Sequence, residues 1–184
     1  MGRTGKWWCV EHYGVVPDYI TTSKAFGGGY SLGATMGPAP MFTDYGRHSE
    51  TVSAEPFKAY VSSFIIHEIE RKGLLKHSEI MGYYFVKRLR ELQARYPCIG
   101  DVRGLGLMIG IEFVLDPVTK EKADDLCERI IKNCVQKKGL WVAEAGTNCI
   151  RLSPYYFITQ EEIDMVVDKI ERAIEEEWGR TKKR

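Results

Sequence analysis

The sequence has no apolar run long enough to cross a bilayer, and no pair of cysteines or histidines at the spacing of a metal site. It also has almost no net charge, with 26 lysines and arginines against 25 acidic residues and a balance of +1. Each absence removes a class. A membrane-spanning helix is excluded, and no secretory leader is visible. Nearly cancelled charge gives no electrostatic case for binding nucleic acid. Cys9, Cys98, Cys127, Cys134 and Cys149 are scattered without a CxxC pair. An odd, dispersed set argues for reduced thiols and a cytoplasmic protein. His12, His48, His67 and His77 are equally dispersed, so no metal is expected. The basic residues 180–184 read as a solvated tail. No internal repeat or low-complexity segment is present.

What is there reads as an α/β chain. The first forty-odd residues are rich in glycine, proline and aromatics, with little helical periodicity, and suggest short strands and loops. From Glu55 to Lys72, apolar residues recur at Phe57, Tyr60, Val61, Phe64, Ile65 and Ile69, which is helical spacing. Pro56 suits the first turn and Gly73 suits the stop. A second helix runs from about Ser78 to Tyr96 on the stripe Met81, Phe85, Leu89, Leu92, with Gly82 permitting close packing and Pro97 ending it. Val102–Val114 is apolar and punctuated by glycine, as in strands around a tight bend. Thr119 is placed to cap a helix that carries Ala123, Leu126, Ile130, Ile131, Cys134 and Val135 and stops at Gly139. Leu140–Ala143 and Cys149–Leu152 read as strands, and Thr159 with Glu162 as a capping box for a last helix through Trp178. The expectation is a small α+β unit of three strands with two helices on one face.

One stretch carries chemistry: Thr21-Thr22-Ser23-Lys24-Ala25-Phe26-Gly27-Gly28-Gly29. Val15, Val16, Tyr19 and Ile20 before it suggest a turn and a short buried strand, so Lys24 stands where a strand meets a glycine run. Glycines there let backbone approach a ligand closely. Desolvation favours the neutral amine that attack on a carbonyl requires. On these few residues alone, a solvated surface lysine is the favoured reading. Gly104, Gly106 and Gly110 form a loose GxGxxxG with no βαβ unit around it, and packing glycines explain it better than a dinucleotide site. Gly2-Arg3-Thr4-Gly5-Lys6 is too short for a phosphate loop, with Trp7 where Ser or Thr belongs.

The flanks decide between these readings. Gly2-Arg3-Thr4-Gly5-Lys6-Trp7, Glu11-His12-Tyr13-Gly14-Val15-Val16-Pro17-Asp18, the Lys24 stretch, Leu32-Gly33-Ala34, Arg103 to Glu112 and Ile150-Arg151-Leu152-Ser153-Pro154 stand in order along the chain. Together they closely resemble the class III (ω- and ornithine-type) aminotransferases, which use pyridoxal 5'-phosphate and have fold type I. The resemblance covers essentially the whole chain, but family members are more than twice as long. Their ring-contacting acid and glutamine, phosphate-binding turn and stacking aromatic match upstream of Met1. The chain therefore resembles the C-terminal half of a subunit. On this likeness, residues 1–72 end the large cofactor-binding domain, 73–97 form a connecting helix, and 98–184 form the small α+β domain.

The resemblance implies roles. Lys24 matches the lysine that carries the cofactor as a Schiff base and moves the substrate proton. Arg151 matches the arginine whose planar fork holds a substrate carboxylate. Thr51 matches a threonine that donates to the cofactor phosphate of the neighbouring subunit, which implies a homodimer or an assembly with a separate N-terminal half. The residues after Thr51, Val52-Ser53-Ala54-Glu55, depart from the family pattern. The implied reaction moves an amino group from an amino acid or ω-amine to a 2-oxo acid. A racemase or epimerase of the same family would use the same lysine, and a non-catalytic dimerisation or interaction fragment is a further reading.

Overall fold

The computed structural model describes residues 1–43 and 55–181. Thr51 and His48 therefore lie outside the described residues. The chain divides into two units, one formed by residues 1–2 and 6–75, the other by residues 3–5 and 76–184.

In the first unit a short hairpin pairs β1 (Ile20–Thr22) antiparallel with β2 (Ala34–Met36), in the register Ile20 to Met36 and Thr22 to Ala34. The helix α1 (Pro56–Arg71) follows. Pro56 opens it, where a missing N–H costs nothing, and Gly73 at φ 61° turns the chain out of it. Ile69 and Leu74 are buried, whereas Phe57, Tyr60 and Phe64 on α1 are exposed.

The second unit has a sheet and a continuous core. α2 (Leu74–Arg95) starts one turn before the expected Ser78, because the chain re-enters helix directly after Gly73. A hairpin joins β3 (Ile99–Leu105) to β4 (Met108–Phe113), α3 spans Asp124–Lys137, then come β5 (Ala143–Glu144), β6 (Cys149–Leu152) and α4 (Gln160–Thr181). The strands form an antiparallel sheet in the order β3-β4-β6-β5. It has four strands, not three, because the bend at Gly106 makes the 99–113 stretch two full strands.

Strand periodicity selects which face is covered. Ile109, Ile111 and Phe113 alternate inward along β4 and join Val102, Ile150 and Leu152. Phe85, Leu89 and Leu92 from α2 meet that face, with Leu126, Ile130 and Cys134 from α3 and Ile163, Val167 and Ile170 from α4. Three helices, rather than two, contribute to the core. The opposite face carries Arg103, Glu112 and Arg151, with Cys149 its buried exception.

Two local details differ from expectation. α3 begins at Asp124, so Thr119 does not cap it. The Asp116 carboxylate accepts from the Val118 and Thr119 amides, both at 2.7 Å, and this turn uses up the 116–119 stretch before the helix starts. By contrast Thr159 and Glu162 do form a reciprocal box: the Thr159 amide donates to Glu162 at 2.9 Å, and the Glu162 amide donates to the Thr159 hydroxyl at 3.3 Å. Among the described residues no helix is long and apolar enough to cross a membrane.

Gly82 on α2 packs against the hairpin bend with no space to spare. A Cβ added there would lie 2.1 Å from the Gly106 carbonyl oxygen, and one added at Gly106 would lie 2.5 Å from the Arg3 carbonyl oxygen. Both obstacles are backbone and cannot rotate away. Gly82→Ala is therefore expected to cost about 3 kcal/mol of stability, as overpacking against an immovable wall does. Urea unfolding of the variant checks this, and an unchanged midpoint would refute the contact.

Buried thiols give a pH dependence. Burial pushes Cys127 from 9.0 up to about 12 and Cys134 from 9.0 up to about 11. Above pH 9 the unfolded chain releases protons that the folded chain retains. Stability is thus fully present below pH 9 and falls as pH rises toward the folded values. Unfolding midpoints at neutral and alkaline pH should show this loss, and the Cys127→Ala/Cys134→Ala double variant should show a smaller one.

Candidate active site

Lys24 sits one residue beyond β1, at the start of a 3-10 turn covering Lys24–Gly27. Its φ is 55°, and Lys120 is the one other non-glycine residue at positive φ among the described residues. A left-handed conformation costs an L-residue about 1–2 kcal/mol, so the surrounding chain must impose it. The imposing elements are identifiable. β1 and β2 clamp the two ends of the loop, and Gly33 passes 3.2 Å, measured from an added Cβ, from the Thr22 carbonyl. Gly28, at φ 61°, lies against α1, where a Cβ would meet Ile65 Cδ1 at 2.2 Å and Val61 Cγ1 at 3.2 Å. Tyr30 packs edge-on to Phe57 of α1, with ring centroids 5.4 Å apart.

The strand before Lys24 is not buried as expected. Ile20 and Thr22 are half-buried, and Thr21 and Lys24 are exposed. The physical reason is that β1 pairs with β2 in a two-stranded sheet, and two strands alone cannot bury a face. Among the described residues no hydrogen bond or ion pair engages the Lys24 ammonium. Five residues on, Gly29 at φ 100° has nothing among the described residues within 4 Å of where a Cβ would stand. The candidate site is a left-handed lysine whose amine has no partner among the described residues, just ahead of a glycine run.

Arg151 belongs to the second unit. β6 places it opposite Gly110 of β4 and Ala143 of β5. Arg103 pairs with Gly110 from the far side, so both arginines share the sheet's open face. Their electrostatic situations differ. Arg103 donates to Asp101 and Glu112, each at 2.7 Å, and these carboxylates push its guanidinium up. Among the described residues, no carboxylate engages Arg151, which is exposed. It lines a cavity of about 300 Å³ with Phe85, Leu152, Ser153 and Pro154, and another of about 520 Å³ with Ile131 and Val135. Trp141, which is 84% exposed, borders both. Lys132, Gln136 and Glu144 also line the second cavity, and a guanidinium beside apolar side chains suits an amphipathic carboxylate.

The model of the family "Aminotransferase class-III" matches residues 1–174. The chain belongs to the class-III aminotransferase family. Among its relatives, a leucine/methionine racemase of Thermococcus litoralis is 42% identical over 176 residues, covering 95% of this chain and 40% of that protein. An acetylornithine aminotransferase of Caldanaerobacter subterraneus subsp. tengcongensis is 32% identical over 177 residues, covering 96% and 42%. Among solved structures, a Bacillus anthracis aminotransferase superposes with a TM-score of 0.89 at 32% identity, covering 95% of this chain and 42% of that one. A transaminase from the marine bacterium Virgibacillus gives 0.91 at 27% identity, covering 98% and 44%. The chain thus spans about two fifths of the length of the curated relatives it matches.

Within this class-III chain, Lys24 and Arg151 lie in different units, and Thr51 lies outside the described residues. Trp141 and Arg3 were not legible as site residues: Trp141 sits in a short strand-like stretch with no motif, and Arg3 makes its contact across the whole chain.

Lys24 supplies a measurable test of imposed strain. Glycine adopts the left-handed region freely, and alanine does not. Lys24→Gly should be more stable than Lys24→Ala by about 1 kcal/mol. Equal unfolding midpoints would show that the turn does not hold this residue left-handed.

Proposed function

We propose that this chain supplies the lysine-bearing part of a pyridoxal-phosphate aminotransferase, which moves an amino group between an amino acid or ω-amine and a 2-oxo acid. The observation that carries the reading is Lys24: a left-handed lysine, held by a strand pair and a glycine turn, whose amine has no partner among the described residues. Such strain at an exposed, reactive side chain supports a functional reading. Family membership across residues 1–174 supports the same reading.

The residues present fit pyridoxal phosphate at one point. Lys24 is exposed, and no carboxylate among the described residues competes for its amine. When bound, the cofactor supplies an aldehyde for covalent attachment and an electron sink for the substrate's reacting carbon. Lys24 Nζ would hold the group covalently, and the same amine, when free, would take the proton from the substrate's amine-bearing carbon and deliver it. Arg151 grips the substrate carboxylate with two parallel N–H donors, which fixes the orientation of that carbon. By the family likeness Thr51 would hold the cofactor phosphate of a neighbouring subunit, and a dimer is the assembly proposed.

A racemase is the second reading, favoured by the 42% identity to the leucine/methionine racemase. It needs the same lysine and the same carboxylate grip. It differs in returning the proton to the same carbon on its other face, with no amino group leaving.

The test is reductive trapping. The chain is incubated with pyridoxal phosphate, reduced with borohydride and digested, alone and together with a chain carrying the rest of the family's length. A single pyridoxyl adduct on Lys24, lost in Lys24→Ala, is the expected outcome. Adducts spread over the surface lysines, unaffected by the second chain, would refute the cofactor role. With the site assembled, deuterium exchange into an amino acid without formation of 2-oxo acid would select the racemase.

A further inference from the structure

Arg3–Gly5 clusters with residues 76–184, although the residues on both sides belong to the other unit. Three contacts hold Arg3 there. Its main-chain carbonyl accepts from the Leu107 amide at 2.8 Å. Its guanidinium donates to the Pro154 carbonyl. The guanidinium carbon also stands 5.1 Å from the centroid of the half-buried Tyr156 ring, a cation–π distance.

Pro154 needs such a partner. β6 pairs with β4 and β5 only as far as Leu152, and proline has no N–H with which to join a ladder. Yet Ser153 and Pro154 wall the cavity of about 300 Å³ that Arg151 also lines. Sheet pairing sets the backbone of Arg151, and the side chain of Arg3 sets the wall beside it.

We propose that Arg3 is a positioning residue for Arg151: by holding the Pro154 carbonyl and the Tyr156 ring together, it fixes the Ser153–Pro154 wall against which a carboxylate gripped by Arg151 must seat. This rests on the reading of Arg151 as a carboxylate grip. The planar fork is essential to it, since a lysine ammonium cannot donate to the carbonyl and lie flat on the ring at once. The scaffold contact to Leu107 uses only the Arg3 backbone, so side-chain substitution leaves it in place.

The experiment is a titration of the full 184-residue chain with 4-methyl-2-oxopentanoate, read at the arginine side-chain nitrogens by NMR, with thermal unfolding measured in parallel. Arg151 Nε is expected to respond in the native chain and the binding to vanish in Arg151→Gln. Arg3→Met should weaken binding roughly tenfold at an unchanged melting temperature, as a displaced contact wall does. Arg3→Gln, which keeps an N–H donor for Pro154, should recover part of that loss. If Arg151→Gln abolishes binding while Arg3→Met leaves it unchanged, the positioning role is overturned and the carboxylate grip stands. Should Arg3→Met lose affinity only in step with a lower melting temperature, the role is merely structural and the proposal is likewise overturned. Absence of any Arg151 response in the native chain overturns the grip itself, and this proposal with it.

Discussion

A backbone-on-backbone contact without room for a Cβ organises the second unit. Gly82 of α2 meets the Gly106 carbonyl, and Gly106 in turn meets the Arg3 and Thr4 backbone. Three chain segments, far apart in sequence, stack through two glycines. The contact lets α2 lie close enough to the hairpin for Phe85 and Leu89 to reach the face of Val102 and Ile109. It also brings Arg3 within reach of Pro154. The core and the cavity wall beside Arg151 therefore share one constraint. Packing of this kind is intolerant of added volume, since neither partner can rotate away.

The first unit is held differently. Few of its apolar side chains are buried, and Tyr60, Phe64 and Val16 are exposed. Its candidate reactive residue is kept in an unfavourable backbone conformation by short-range devices: a strand pair, a glycine seated on α1, and an aromatic edge contact. Local restraint of this sort can specify a turn without specifying burial. The Lys24 amine is consequently placed and exposed at the same time.

Legibility in the sequence followed the range of each interaction. Helices and strands whose signal lies within a dozen residues were readable: the Pro56 start and Gly73 stop of α1, the Met81-Phe85-Leu89-Leu92 stripe, the alternation along β4, the Thr159–Glu162 box. The α3 start was misread because two devices compete for the same residues. Asp116 captures the Thr119 amide in a turn before Thr119 can cap a helix. Burial of the Lys24 strand was misread for another reason: apolar residues around a strand say that a covering layer is wanted, not that it is supplied. The family motifs identified Lys24 and Arg151 as candidates but carried no sign that, among the described residues, no carboxylate engages Arg151 while two engage Arg103. That distinction depends on cross-strand rows, which register alone fixes.

Arg103 and Arg151 show how one fold makes two uses of the same side chain. Both stand on the open face of the sheet and share Gly110 as a neighbour. Asp101 and Glu112 flank Arg103 on its own strand and the next, and satisfy its fork. Around Arg151 the same-strand positions are Cys149 and Ser153 and the cross-strand positions are Gly110 and Ala143, while Glu112, diagonal to it across β4, is bonded to Arg103. An arginine saturated by two carboxylates contributes to the surface and is closed to a third. One with no carboxylate on it among the described residues keeps its donors for a ligand, and loses less in exchanging water for a carboxylate than it would in breaking an existing pair. The commitment of Glu112 to Arg103, together with uncharged Cys149, Ala143 and Ser153, is therefore as much a part of the candidate site as the guanidinium itself, because it leaves the Arg151 charge without a partner among the described residues.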